Sequence, residues 1–195
     1  MNTIFDFETM SQDPVNGVVL SLAMLNYDPN RFVDKPYTYQ ELVDDAKYIK
    51  FDVADQVQNY GRTIDKDTME WWSKQNKEAQ KAIAPSKDDR PISELYTFFF
   101  GNMPDYPKLV YTRRNTFDPI FMTSLMKATN NPEPYDWWNV RDTISYIEGL
   151  SIGGDIRNNF IPDDLQDHFV AHDPRHDIAM DVMRMQVLVQ AVTAF

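Results

Sequence analysis

The amino-acid sequence predicts one α/β domain with a mixed central β-sheet flanked by helices, spanning residues 1–195. Short segments rich in β-branched and aromatic residues alternate with segments whose apolar residues recur every three or four positions. A chain of 195 residues is long enough for one domain with a substantial core. The apolar share of 43% and the charged share of 25% are those of an ordinary globular protein.

The first quarter of the chain is predicted to form strands. Residues 3–8 (TIFDFE) are aromatic and β-branched without helical spacing, which indicates a buried strand. A turn signal at residues 13–17 (DPVNG) separates them from the apolar run 18–25, a predicted partner strand. A third strand is predicted near residues 31–35, and a further segment at the sheet edge within residues 46–52.

The rest of the chain is predicted to be mainly helical. Apolar spacing predicts one helix from Asp65 to Pro85 and a second between Pro91 and Pro104. A short strand follows at residues 109–111, and residues 117–126 form a helix with one apolar face. The last helix runs from Asp173 or Pro174 to near Ala194.

Charge and cysteine content limit the chemistry. Thirty acidic and 19 basic residues give a net charge of −11, which argues against tight binding to long duplex DNA. The end of a nucleic-acid strand is still an acceptable ligand, because divalent metals bound at an acidic site reverse its local charge. The absence of cysteine means that oxygen or imidazole must hold any metal. No apolar run approaches the roughly 18–20 residues that cross a bilayer, so we expect no membrane association and a cytoplasmic location.

Asp6 and Glu8 form the first candidate site. Two residues apart on a strand, they project from the same face, whereas Phe7 points to the other. Two neighbouring carboxylates repel each other unless a cation bridges them, and Mg²⁺ or Mn²⁺ prefers such oxygen ligands.

A second candidate lies in the last helix, where His176 precedes Asp181 by five residues. Asp181 borders an apolar stripe, where an unpaired charge is costly and a metal would compensate it. Hydration at the edge of the stripe is the alternative. His172 and Asp177 compete for the same roles, although Asp177 is also explained by the favourable interaction of an acid with a helix amino terminus.

Asp118 is the third candidate, at the start of the helix after the short strand at 109–111. Helix capping explains it equally well when it is taken alone. Together the three elements supply what two-metal phosphodiester hydrolysis needs, which is a set of acidic ligands for two ions and a base.

The ordered set of D-x-E, an aspartate after N-x-F, and H-x4-D resembles the DEDDh exonucleases. The strings FDFETM, TMEWWSKQ, WWNVRD and FVAHDPRHD resemble more narrowly the exonuclease A family of large tailed phages. This resemblance spans nearly the whole chain and implies a ribonuclease H-like fold. It also implies a location in the host cytoplasm if a phage encodes the chain.

The resemblance further implies roles for single residues. Two Mg²⁺ or Mn²⁺ ions would be held by Asp6, Glu8, Asp118 and Asp181, and His176 would be the general base, which its ordinary pKa near 6.5 suits. The terminal nucleotide would be contacted by a second set of residues, namely Thr9, Met10, Trp72, Asn115 and Phe117. We expect one of Trp71 and Trp72 to be packed inside. Arg113 and Arg114 either face a phosphate near Asp118 or form an exposed loop pair.

The leading functional prediction is a 3′–5′ exonuclease that releases nucleoside monophosphates from single-stranded DNA ends. The alternatives are a 3′–5′ exoribonuclease, a non-catalytic protein that binds nucleic-acid ends, and an endonuclease on the same fold. A single-stranded 3′ end is the expected partner, and a homodimer is compatible with the aromatic content of 13%.

Overall fold

The computed structural model describes residues 1–105, 107–151 and 157–194. A five-stranded sheet of order β3-β2-β1-β4-β5 forms its centre. The strands are β1 (Asn2–Thr9), β2 (Val19–Tyr27), β3 (Lys47–Lys50), β4 (Val110–Thr112) and β5 (Val140–Asp142). The β1–β2 and β2–β3 pairs are antiparallel, whereas the β1–β4 and β4–β5 pairs are parallel. The predicted mixed sheet is confirmed.

Helices cover both faces of this sheet. Within the described ranges they are α1 (Arg31–Asp34), α2 (Tyr39–Asp45), α3 (Val53–Tyr60), α4 (Lys66–Ser73), α5 (Lys77–Ile83), α6 (Leu95–Asn102), α7 (Asp118–Ala128), α8 (Thr143–Leu150) and α9 (Pro174–Thr193). None of these helices combines the length and the apolar character that crossing a bilayer requires.

The alternating side chains of β1 separate two cores. Ile4 packs with the apolar residues of α1, α2, α8 and α9 on one face of the sheet. Phe5 and Phe7 pack with those of α6 and α7 on the other face. Because side chains alternate along a strand, Asp6 and Glu8 continue the face of Ile4 and point toward α9.

The strand predicted at residues 31–35 is wrong, because this segment is the single-turn helix α1. The Asp28 side chain accepts a hydrogen bond from the Asn30 amide at 3.1 Å, and the Asp28 carbonyl accepts one from Arg31 at 3.0 Å. The resulting turn stacks the buried Phe32 ring on Tyr27, with ring centroids 5.7 Å apart. The local turn that Asp28 forms therefore overrides the strand-like composition.

The long helix predicted from Asp65 to Pro85 is divided into α4 and α5. The division lies at Asn76, whose side chain accepts a hydrogen bond from the Ala79 amide at 2.7 Å and so starts a new helix. The predicted helices α6, α7 and α9 and the edge strand β3 are confirmed. Six further elements of the described ranges were not predicted from the sequence, namely α2, α3, β5, α8 and the 3₁₀ helices Trp137–Asn139 and Asp163–Leu165.

Candidate active site

Asp118 reaches Asp6 and Glu8 because β4 is short. Strand β4 pairs with β1 only at Thr3 and Ile4, so the edge of β1 beyond Ile4 has no strand partner there. The free amide of Phe7 donates instead to Asp118 Oδ1 at 3.0 Å. This buried hydrogen bond ties the first residue of α7 to the stretch of β1 that carries both acidic side chains.

Asp181 lies on α9 and is bound on both carboxylate oxygens. Its Oδ1 accepts from Arg113 at 2.5 Å and from Arg184 at 2.6 Å. Its Oδ2 accepts from the Thr143 hydroxyl, at the start of α8, at 3.0 Å. These bonds fix a carboxylate that is only 2% exposed at the junction of β4, α8 and α9.

The two H-x4-D pairs of the sequence occupy different positions. His172 and Asp177 lie beside Glu8, and one potential ligand atom from each of these three residues lies within 4.8 Å of the other two. His176 instead turns to α2, where its Nδ1 is 2.8 Å from the Tyr39 hydroxyl. The cleft therefore takes its imidazole from the first pair and a carboxylate from each pair.

These groups surround one open cleft with a volume of about 710 Å³. The acidic residues that line it are Asp6, Glu8, Asp118, Asp177 and Asp181. Three arginines also line it, namely Arg113, Arg114 and Arg184. Aromatic and imidazole rings complete its walls, namely those of Trp71, Phe117, Phe169 and His172.

Burial and mutual repulsion favour the protonated forms of four acids of the cleft, namely Asp6, Glu8, Asp118 and Asp177. Burial raises the pKa of Asp6 well above its usual value, and the negative charges of Asp118 and Glu8 raise it further. The pKa of Glu8 is raised for the same first reason and then by Asp177. Burial raises the pKa of Asp118 to about 7, although the Phe7 hydrogen bond opposes the rise. The pKa of Asp177 also rises to about 7, through burial and then the charge of Asp181.

Of the residues predicted to contact the nucleotide, Phe117 lines the cleft. Thr9 is buried, and its carbonyl accepts a hydrogen bond from Trp72 Nε1 at 2.9 Å. Met10 packs on the small core around Trp72. The side chain of Asn115 accepts a hydrogen bond from Thr112 at 3.2 Å. The described walls of the cleft therefore include Phe117 but not Thr9, Met10, Trp72 or Asn115.

The two adjacent tryptophans divide their roles, as the sequence predicted. Trp72 is 2% exposed and belongs to the core, whereas Trp71 is 43% exposed and lines the cleft. The Trp71 ring meets the His172 ring edge to face, with centroids 4.7 Å apart. The tryptophan at the cleft is therefore Trp71, whereas the sequence prediction had selected Trp72.

Sequence reasoning missed the contact of Arg113 with Asp181, because it placed Arg113 near a phosphate at Asp118 or in an exposed loop pair. It also missed Arg184 and Thr143 as partners of Asp181. Arg184 lies three residues after Asp181 on α9, so the two share a helix face, and an arginine beside an apolar stripe was the available signal. Thr143 carried no such signal. Its contact with Asp181 depends on where β5 ends and α8 begins, and neither element was predicted.

Comparison with known proteins agrees with this architecture. A family model described as the 3′–5′ exoribonuclease Rv2179c-like domain matches residues 1–181. The exodeoxyribonuclease of Enterobacteria phage T4 is 33% identical over 201 residues, which cover 94% of this chain and 86% of that protein.

Solved structures of exonuclease I show the same fold. The zinc-bound E. coli ExoI–ssDNA complex superposes with a TM-score of 0.58 at 15% identity, covering 100% of this chain and 41% of that one. E. coli exonuclease I in complex with a dT13 oligonucleotide gives a TM-score of 0.57 at 14% identity, covering 99% of this chain and 41% of that one. This chain thus spans about two fifths of the length of those exonuclease I chains.

The predicted α/β, ribonuclease H-like fold is therefore confirmed. The family match covers most of the chain, and the phage relative shares a third of its residues over nearly the full length. The chain belongs to the family described as the 3′–5′ exoribonuclease Rv2179c-like domain.

Proposed function

We propose that this chain is a metal-dependent 3′–5′ exonuclease that releases nucleoside monophosphates from single-stranded DNA ends. The observation that carries the proposal is the convergence of Asp6, Glu8, Asp118 and Asp181 on one cleft, although they come from β1, α7 and α9. Buried carboxylates that lie close together repel one another, so their ionised forms are unfavourable unless a cation neutralises them. The cluster therefore favours metal binding.

The proposed cofactors are two Mg²⁺ or Mn²⁺ ions. All the carboxylates are oxygen donors, which these hard cations prefer. Asp6, Glu8 and Asp181 would hold one ion, and Asp6 with Asp118 would hold the second. Bound ions of this kind activate water and stabilise the leaving oxygen in phosphodiester hydrolysis.

We propose His176 as the general base, although its ring is not among the described walls of the cleft and would have to reach into it. Its Nδ1 contact with the Tyr39 hydroxyl orients the ring, and if Nδ1 carries the hydrogen, Nε2 is left free to accept a proton. Burial lowers the pKa of His176 below its ordinary value, so the ring is neutral at pH 7. His172 is the rival, because it lies in the cleft itself and burial also lowers its pKa.

A single-stranded 3′ end suits the walls of the cleft. Trp71 and Phe117 present aromatic rings, and such rings stack on bases without sequence preference. The exonuclease I structures contain single-stranded DNA or an oligonucleotide, and the phage relative is an exodeoxyribonuclease. The family description names an exoribonuclease, which makes RNA the second candidate substrate.

The organisation of the chain is proposed on the same basis. Residues 1–195 act as one exonuclease domain. Its acidic residues lie on one strand of a single sheet, β1, and on two helices that cover this sheet, α7 and α9. Association of two copies into a homodimer stays a prediction.

The test compares matched DNA and RNA oligonucleotides that carry a 5′ label, in Mg²⁺. The native chain should shorten the DNA stepwise from its 3′ end and release monophosphates, and it should leave circular single strands intact. Asp6→Ala with Glu8→Ala should abolish hydrolysis, whereas Asp88→Asn, which alters an exposed loop acid, should not. Unchanged hydrolysis by the double variant would reject the catalytic assignment and favour a binding function. Faster RNA degradation would move the substrate to the second candidate.

A further inference from the structure

We propose that Arg113 occupies the place of a divalent ion at Asp181, is displaced when the ion binds, and then binds the phosphate group that is cleaved. This inference rests on the proposed nuclease function. It concerns a residue for which the sequence left open whether it faces a phosphate or solvent.

The first observation is the number of cations on one oxygen atom. Arg113 and Arg184 both donate to Asp181 Oδ1, at 2.5 and 2.6 Å, while Thr143 binds the other oxygen. One guanidinium is enough to neutralise one carboxylate. The second positive charge therefore covers one of the two oxygens through which Asp181 would hold a divalent ion.

The second observation distinguishes the two arginines. The Arg184 side chain is 7% exposed and is anchored to main-chain carbonyls, through Nε to Phe160 at 2.6 Å and Nη2 to Asn159 at 3.3 Å. The Arg113 side chain is 26% exposed, and its other hydrogen bonds come from Nη2 alone, to the main-chain carbonyl and the side-chain oxygen of Asn158, both at 3.2 Å. Arg184 is therefore built into the fold, and Arg113 is the cation that can leave.

The third observation concerns where Arg113 can go. It follows directly on β4 and lines the same cleft as Asp6 and Asp118. Divalent ions bound to these carboxylates would repel the Arg113 guanidinium, because the ions and the guanidinium are both positively charged. The anion that enters with the substrate is a phosphodiester, and the guanidinium fork matches phosphate oxygens in a bidentate geometry.

The first experiment measures Mn²⁺ binding in the absence of substrate. Electron paramagnetic resonance of free Mn²⁺ gives the dissociation constant. Arg113→Gln removes the competing cation, so the dissociation constant should fall at least five-fold. Arg113→Lys keeps the charge and should stay within two-fold of the native chain. Arg141→Gln is the matched control and should leave Mn²⁺ affinity unchanged. It removes an exposed arginine that donates to the main-chain carbonyls of Trp138 and Val140, outside the cleft.

The second measurement is the turnover of an oligonucleotide at saturating Mn²⁺. Arg113→Gln should lower kcat at least ten-fold although it binds the ion more tightly, and Arg141→Gln should not. Weaker or unchanged Mn²⁺ binding by Arg113→Gln would overturn the displacement, since it would mean that Arg113 only holds Asp181 in place. Tighter binding with unchanged kcat would overturn the phosphate contact. Absence of turnover in the native chain and the control would instead count against the nuclease function, and the Mn²⁺ measurement would still decide the displacement.

Discussion

Asp118→Asn should stabilise the metal-free protein at pH 8 while it abolishes activity. Burial raises the pKa of Asp118 from 3.8 to about 7, so the ionised side chain opposes folding above pH 7. At about 1.4 kcal/mol per pKa unit this corresponds to about 4 kcal/mol, or about 2–4 kcal/mol after the site relaxes. The amide keeps an oxygen that accepts the Phe7 hydrogen bond, so the substitution removes the charge and preserves the contact.

The sign of the pH dependence tests the origin of this effect. Between about pH 4 and pH 7 the folded native chain binds more protons than the unfolded chain, so its free energy of unfolding rises as the pH falls. The advantage of Asp118→Asn should therefore shrink to about 1–2 kcal/mol at pH 5. Urea denaturation in EDTA at pH 8 and pH 5 measures both values.

Asp88→Asn provides the reference for loss of one exposed negative charge and should change stability by less than about 0.5 kcal/mol. An Asp118→Asn chain that is less stable than the native chain at pH 8, or equally stable at both pH values, would refute the reasoning. Either result would mean that the ionised form of Asp118 does not destabilise the folded, metal-free chain.

Three further predictions concern other residues of the site. Trp71→Ala should raise KM for an oligonucleotide about 5- to 150-fold in steady-state assays, since stacking contributes about 1–3 kcal/mol per base. Trp72→Ala should instead lower the free energy of unfolding by about 3–5 kcal/mol in urea titrations. Asp181→Ala should destabilise the chain by about 3–5 kcal/mol in the same titration, because the buried Arg184 loses its partner; an unchanged midpoint would show that Arg184 does not depend on it. The acidic limb of the kcat profile at saturating Mn²⁺ should lie below pH 6.5, because burial lowers the pKa of His176, and a limb above pH 6.5 would exclude this base.

The acidic positions were predictable because their signals are local. Alternation along β1 places Asp6 and Glu8 on one face whatever surrounds the strand. An aspartate at the start of an apolar helix, such as Asp118, is equally visible in the sequence. These patterns required only the type of each element and not its exact ends.

The contacts around Asp181 were not predictable, because they depend on where elements end. Its binding to Thr143 requires β5 to stop at Asp142 and α8 to start there, and three-residue strands carry almost no periodic signal. The choice between His172 and His176 likewise depends on the position of α2, which brings Tyr39 to His176. Two identical H-x4-D spacings in one segment leave the choice to tertiary structure.

The shortness of β4 links the fold to the proposed chemistry. A longer β4 would pair with the Phe7 amide and complete the ladder, and Asp118 would then lose the hydrogen bond that holds it beside Asp6 and Glu8. The same early end of β4 releases the chain at Arg113, which turns toward Asp181 on α9. The early end of β4 thus lets Asp118 bind beside Asp6 and Glu8 and lets Arg113 reach Asp181. A variant that extends this pairing should therefore impair metal binding without disturbing either core.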